Sequence, residues 1–153
     1  MGDNGEPTIV GWREYVTLPA WGVQGVLAKI DTGARTSALH VADIRDLPGD
    51  RVRFEVVLSR NDPTRRIPVE ADLVRVARIK PSTGVHQHRR VVLTRMRLGP
   101  VEKDIEVSLV CRKSMLCRML IGRTALDDDF LIDSSRTYIF GKPKRIRRKK
   151  SRP

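Results

Sequence analysis

Apolar and polar residues alternate along most of this chain with the two-residue period of β-strands. In residues 51–60, RVRFEVVLSR, the side chains of Val52, Phe54, Val56 and Leu58 fall on one face. KDIEVSLV at residues 103–110 repeats the pattern with Ile105, Val107 and Leu109. Residues 8–19 read as a strand ending at Pro19, and residues 22–31 as a second strand after a glycine-rich turn. Asn61-Asp62-Pro63 marks a turn, after which residues 65–80 resume extended structure, with Pro68 at an edge or a strand start. A turn at Ser82–Gly84, a strand over about residues 87–98 and a turn at Gly99-Pro100 follow. Only RTALDDDFL, residues 123–131, suggests a helix, and its three acids, Asp127 to Asp129, fit a loop equally well. FLID (130–133) and RTYIF (136–140) close the pattern as short strands. Many short strands with one late helix predict a closed or sandwich-like β architecture. There is no tandem repeat.

Composition narrows this. At 153 residues the chain suits one domain with tails: a flexible N-terminal segment 1–9, a domain over 10–141, and a basic tail over 142–153 expected to be disordered. No run of about 18 apolar residues suggests a membrane span, and the acidic, polar N-terminus lacks a signal-peptide pattern. A cytoplasmic protein is expected. Cys111 and Cys117 fit a reducing compartment, at a spacing that matches no zinc motif. The net charge of +12 is concentrated in KPKRIRRKKSRP, which holds eight Lys/Arg and no acid, and the preceding chain carries only +4. Such a tail would attract polyanions such as RNA or a ribosomal surface through salt-sensitive contacts, or serve merely as a solubilising tail.

Candidate chemistry sits at AKIDTGARTSALH, residues 28–40. Asp31 ends an apolar run, and the chain then turns at Gly33, whose N–H can approach a neighbouring carboxylate closely. Two carboxylates about 3 Å apart share one proton, so such a pair supplies both a base and an acid. Asp-Thr-Gly alone fits a capping aspartate in a tight turn just as well.

The later MLIGRTAL (119–126) changes the reading. AKIDTGARTSALH and MLIGRTAL together resemble the two signatures of retropepsin-like aspartic proteases. The intervening order fits too: PSTGVHQH as a hairpin flap, then a strand pair, then the closing apolar-Gly-Arg segment. More closely, VGWREYVTLP, RRVV, CRKSM and LIDSSRTYIF are similar to small bacterial and archaeal retropepsin-like proteins carrying the inherited label of ATP-dependent zinc protease. The resemblance runs from about Val10 to Phe140. Cys117-Arg118 departs from it, standing where an aromatic residue and often proline are expected. The label itself finds no support in the residues, since neither a phosphate-binding Gly-x-x-x-x-Gly-Lys-Ser/Thr nor a His-Glu-x-x-His is present. His86 and His88 could share a strand face and hold a metal weakly, but read more simply as flap residues, and His40 as structural.

The resemblance implies a mainly β fold, a closed retropepsin-like β-barrel with one short C-terminal helix, and no cofactor or metal. It implies an aspartic peptidase acting as a homodimer, because one chain offers one Asp-Thr-Gly. Asp31 would share the catalytic proton, Thr32 would brace the paired loops and Gly33 would donate its N–H to the carboxylate. Ala34, Arg35, Gly84, Arg90 and Arg123 would contact substrate, with Arg89 and Arg112 further candidates for an electropositive cleft. Arg123 would also tie the helix to its surroundings. Asp133 reads as a turn or interface residue. Family members also resemble partners of ATP-grasp ligases that add glutamate to proteins, so an acidic protein or peptide substrate and such a pathway partner are expected. The competing expectation is a non-catalytic binding module of the same fold, docking to RNA or ribosome through the tail.

Overall fold

A computed structural model describes residues 5–59, 61–62, 64–79, 87–111 and 116–143. The expected flap tip with Gly84 and His86, Arg112, and the tail beyond Pro143 lie outside the described residues. Among these residues no helix is long and apolar enough to cross a membrane.

The fold is mostly β, as the alternation predicts. β1 (Thr8–Gly11) and β2 (Arg13–Leu18) are followed by a short 3-10 turn at Pro19–Trp21 and β3 (Val23–Ile30). Next come β4 (Ser37–Leu47), β5 (Arg51–Val57), β6 (Arg66–Ile79), β7 (Gln87–Leu98) and β8 (Val101–Val110). β9 (Met119–Ile121), α1 (Arg123–Leu126) and β10 (Phe130–Asp133) complete the order. Strands β2 to β9 form one sheet whose ladder closes on itself. The run β4–β5–β6–β7–β8 returns to β4 through a parallel β4–β8 pairing, and β2 meets β7 at Thr17 and Arg97. Closure removes most free sheet edges. The faces read from the sequence are the inner ones: Val52, Phe54 and Val56 are fully buried, and Ile105, Val107 and Leu109 nearly so. Trp21 packs edge-on against Phe54, with ring centroids 5.3 Å apart. Each such side chain contributes about 1.5–3 kcal/mol by leaving water. Pro68 sits where β6 pairs with β5 alone, before its pairing with β7 begins at Leu73, so its missing N–H breaks no ladder.

Several expectations are corrected. The strand expected over residues 8–19 is two strands broken at Trp12. β1 leaves to pair in parallel with β10, while β2 joins β3 in the main sheet. β1 also begins at Thr8, inside the segment expected to be flexible. The helix is a single turn, and Asp127–Asp129 form a turn with Asp128 in the left-handed region at φ 66°. RTYIF is not a strand but part of a strap laid over the N-terminal end of β2. The Arg136 carbonyl accepts from the Trp12 N–H (3.0 Å), Tyr138 N–H donates to the Arg13 carbonyl (3.0 Å), and Ile139 N–H donates to Glu14 Oε2 (3.2 Å). With donors committed to separate partners and Tyr138 at φ 52°, no regular ladder can form. Glu14 is fully buried and its Oε2 also accepts from Gly11 N–H at 2.7 Å. The strap lies so close that a Cβ at Gly99 would stand 2.5 Å from the Phe140 ring.

Candidate active site

β3 ends at buried Ile30 and releases Asp31 into a loop that re-enters the sheet at Ser37. Two backbone bonds fix this exit: Ile30 N–H to the Trp12 carbonyl and Asp31 N–H to the Ile121 carbonyl, both 2.9 Å. The second continues the parallel β3–β9 ladder, so the carboxylate stands on sheet geometry rather than on a free loop. Asp31 is half-buried, Thr32 and Gly33 exposed. Gly33 N–H donates to Asp31 Oδ1 at 2.9 Å, and Ala34 N–H to the Asp31 carbonyl at 3.3 Å. The charge-assisted bond from Gly33 orients the carboxylate, and among the described residues its Oδ2 has no hydrogen-bond partner.

The segment from Gly122 to Thr124 clasps this loop from behind. Gly122 N–H donates to the buried Ser37 Oγ at 3.0 Å. Arg123 N–H reaches the Ala34 carbonyl (2.8 Å), and Thr124 donates to the Arg35 carbonyl through both its N–H (3.1 Å) and its hydroxyl (2.8 Å). The Arg123 guanidinium approaches the Thr32 carbonyl at 3.4 Å. A Cβ at Gly122 would lie 2.7 Å from the Thr36 carbonyl carbon and 2.9 Å from the Ala34 oxygen, so only glycine permits this approach. Ser37 and Thr124 are loop-holding residues that the sequence reading passed over. Their only signal there is a hydroxyl within each motif.

The remaining expected residues are distributed. Arg35 is exposed at the loop's edge. Arg90 lies on β7, paired with Val76 of β6, and its guanidinium grips Asp46 of β4 bidentately at 2.6 and 2.7 Å. That hydrogen bonding holds the Asp46 carboxyl below its usual range and raises Arg90. The structure thus commits Arg90 to a clasp between hairpins rather than bringing it to Asp31. Arg89, opposite Ala77, is half-buried. His40 is buried, and its backbone N–H donates to the Arg118 carbonyl at 2.8 Å. Cys117 and Arg118, the departure from the family pattern, are both buried. Asp133 closes a turn: its Oδ1 accepts from the Ser135 hydroxyl (2.6 Å) and N–H (2.9 Å), which lowers its pKa. His88 is exposed opposite Arg78. Among the described residues no three His, Cys, Asp or Glu side chains cluster as a metal site would require.

At this loop Asp31 is an oriented carboxylate, and neither of two grooves on the surface is lined by it. The arrangement can polarise water, but among the described residues no second acid is hydrogen-bonded to the first.

The family model described as "RimB-like: Retropepsin-like aspartic endopeptidase RimB" matches residues 9–143. A Shewanella pealeana protein named "Probable alpha-L-glutamate ligase" is 34% identical over 144 residues, 92% of this chain and 31% of its own length. A Parasynechococcus marenigrum protein of the same name is 32% identical over 136 residues, covering 87% and 29%. The chain spans about a third of the length of these curated relatives. The crystal structure of a Legionella pneumophila protein of unknown function is similar to it with a TM-score of 0.72 at 28% identity, covering 88% of this chain and 98% of that one.

Proposed function

Since the chain belongs to the RimB-like family of retropepsin-like aspartic endopeptidases, we propose that it hydrolyses peptide bonds with a carboxylate pair assembled from Asp31 of two copies. The observation that carries this is the Asp31 loop: a half-exposed carboxylate oriented by Gly33 N–H and braced by Gly122, Arg123 and Thr124. So many bonds converging on an exposed turn are more than a capping aspartate requires.

Two such carboxylates across a two-fold axis would hold one proton between them and one water against both. The ionised member takes a proton from the water as its oxygen bonds to the peptide carbonyl carbon, and the protonated member supplies a proton to the carbonyl oxygen. Collapse of the resulting diol breaks the C–N bond, with a proton returning through the pair to the leaving nitrogen. The carboxylates end as they began. Thr32 would brace the paired loops, and Ala34 would contact substrate.

The substrate side of the reading is an acidic, glutamate-containing polypeptide. Arg51, Arg66, Arg75, Arg90, Arg95 and Arg97 are all paired with Asp or Glu. Among the described residues Arg35 and Arg123 have no carboxylate partner, a state they share with Arg45 and Arg53, and it is their place beside the Asp31 loop that makes their charges available to a ligand there. Relatives named probable alpha-L-glutamate ligases carry a similar segment in about a third of their length, and this supports a glutamate-containing substrate. Incubating wild type and Asp31→Asn with glutamate-rich peptides and reading products by mass spectrometry tests the reading. Cleavage by wild type alone is expected, and equal cleavage by both proteins would refute it.

A further inference from the structure

On the Arg35 side of the Asp31 loop, a groove of about 580 Å³ runs between α1 and the face of β7–β8 that carries Leu93. Its walls include Arg35 and Thr36 from the loop, Thr124 from the clasp, and Leu93 from β7. The groove does not reach Asp31 itself but adjoins its loop, since Arg35 and Thr36 line it and Thr124 holds the Arg35 carbonyl. Most of its charge is already satisfied. Glu106 accepts from Arg75 at 2.9 Å, and Asp104 pairs with Arg95 at 3.3 Å. What remains is one cation without a carboxylate partner among the described residues, Arg35, and one large apolar side chain, Leu93, which is 53% exposed while Ile105 beneath is buried.

We propose that this groove is an outlying subsite of the cleft, taking a segment of the polypeptide substrate that flanks the scissile bond. It holds one carboxylate side chain at Arg35 and one apolar side chain at Leu93. Its role in cleavage rests on the peptidase reading; the binding itself does not. The subsite gives long substrates an advantage that short ones cannot share, and it distinguishes an acidic-apolar segment from a purely acidic one.

The test uses the full chain carrying Asp31→Asn and three fluorescein-labelled octapeptides: alternating Glu/Leu, alternating Glu/Ser and alternating Lys/Leu. Fluorescence anisotropy should show the Glu/Leu peptide binding about tenfold more tightly than either of the others, since one buried leucine and one charge-assisted bond are each worth about that factor. Leu93→Ser and Arg35→Gln should each remove about tenfold of that affinity. Leu93 is 53% exposed, so a serine there removes the apolar contact without adding a charge or opening the core, and the fold is kept. Equal binding of Glu/Leu and Glu/Ser peptides, no binding at all, or indifference to both substitutions would overturn the proposal. If binding depends on Arg35 and Leu93 but wild type cleaves nothing, the peptidase reading fails and the subsite stands. If cleavage requires Asp31 while neither substitution changes binding, the reverse holds.

Discussion

Substituting Gly122 by alanine tests the clasp behind the Asp31 loop. Its backbone angles, φ −85° and ψ 170°, suit any residue, so the cost is purely one of space. The added methyl would stand 2.7 and 2.8 Å from the Thr36 carbonyl carbon and oxygen and 2.9 Å from the Ala34 oxygen. These are backbone atoms that cannot rotate aside, so α1 and the loop must part by roughly half an ångström or more to reach ordinary contact. Overpacking of this kind costs about 1–3 kcal/mol. Parting also stretches the Gly122–Ser37 and Arg123–Ala34 hydrogen bonds, at about 1 kcal/mol each. The sum, about 3–5 kcal/mol, is a large share of the roughly 5–15 kcal/mol that holds a domain folded. It corresponds to a melting point lower by about 10 °C. Gly33→Ala is the internal control, since its methyl would meet only Asp31 Oδ1, at 3.1 Å, on a side chain that can turn. Urea denaturation followed by circular dichroism should show the Gly122 variant losing several times more stability than the Gly33 variant. A Gly122→Ala loss below about 1 kcal/mol, or a larger loss for Gly33→Ala, would refute the argument.

Other consequences are as direct. Glu14→Ala leaves the Gly11 and Ile139 N–H groups without their acceptor, so it should destabilise the protein by about 2–4 kcal/mol and open residues 136–143 to limited proteolysis; a protease-resistant strap would contradict this. Arg90 holds Asp46 below its ordinary pKa. A depressed carboxyl contributes stability above its unfolded value and loses it as pH falls through the folded one. Arg90→Gln should therefore raise the Asp46 midpoint seen by carboxyl NMR and abolish that acid-side loss, and an unmoved midpoint would show the pairing to be absent in solution. Cys111 is exposed and Cys117 buried, so a thiol reagent should label one cysteine rapidly in native protein and both in denaturant.

The two loop motifs were more legible in the sequence than the scaffolding that joins them. Val52, Phe54 and Val56 declare an inner face because strict alternation survives along β5. In β4 the same signal fails after His40, because the register slips between Ala42 and Arg45 and Asp43 adopts φ 52°. A strand with a bulge loses its period of two, and its course to Leu47 went unread. RTYIF has strand-like composition, yet its backbone partners are Trp12, Arg13 and Glu14, more than a hundred residues away in the chain. The Asp31 loop and the Gly122-Arg123 segment were readable as motifs. What joins them, through Ser37 and Thr124, follows from tertiary approach that no local pattern encodes. Arg90 looked available for substrate because its partner Asp46 lies 44 positions earlier.

The central claim is that Asp31 works as a pair, and sedimentation equilibrium of the full chain tests it most directly. The chain mass is 17.4 kDa, so a shared dyad requires a species of twice that mass, in wild type and in Asp31→Asn alike. A single 17.4 kDa species at every attainable concentration would leave one carboxylate without a partner and contradict the account.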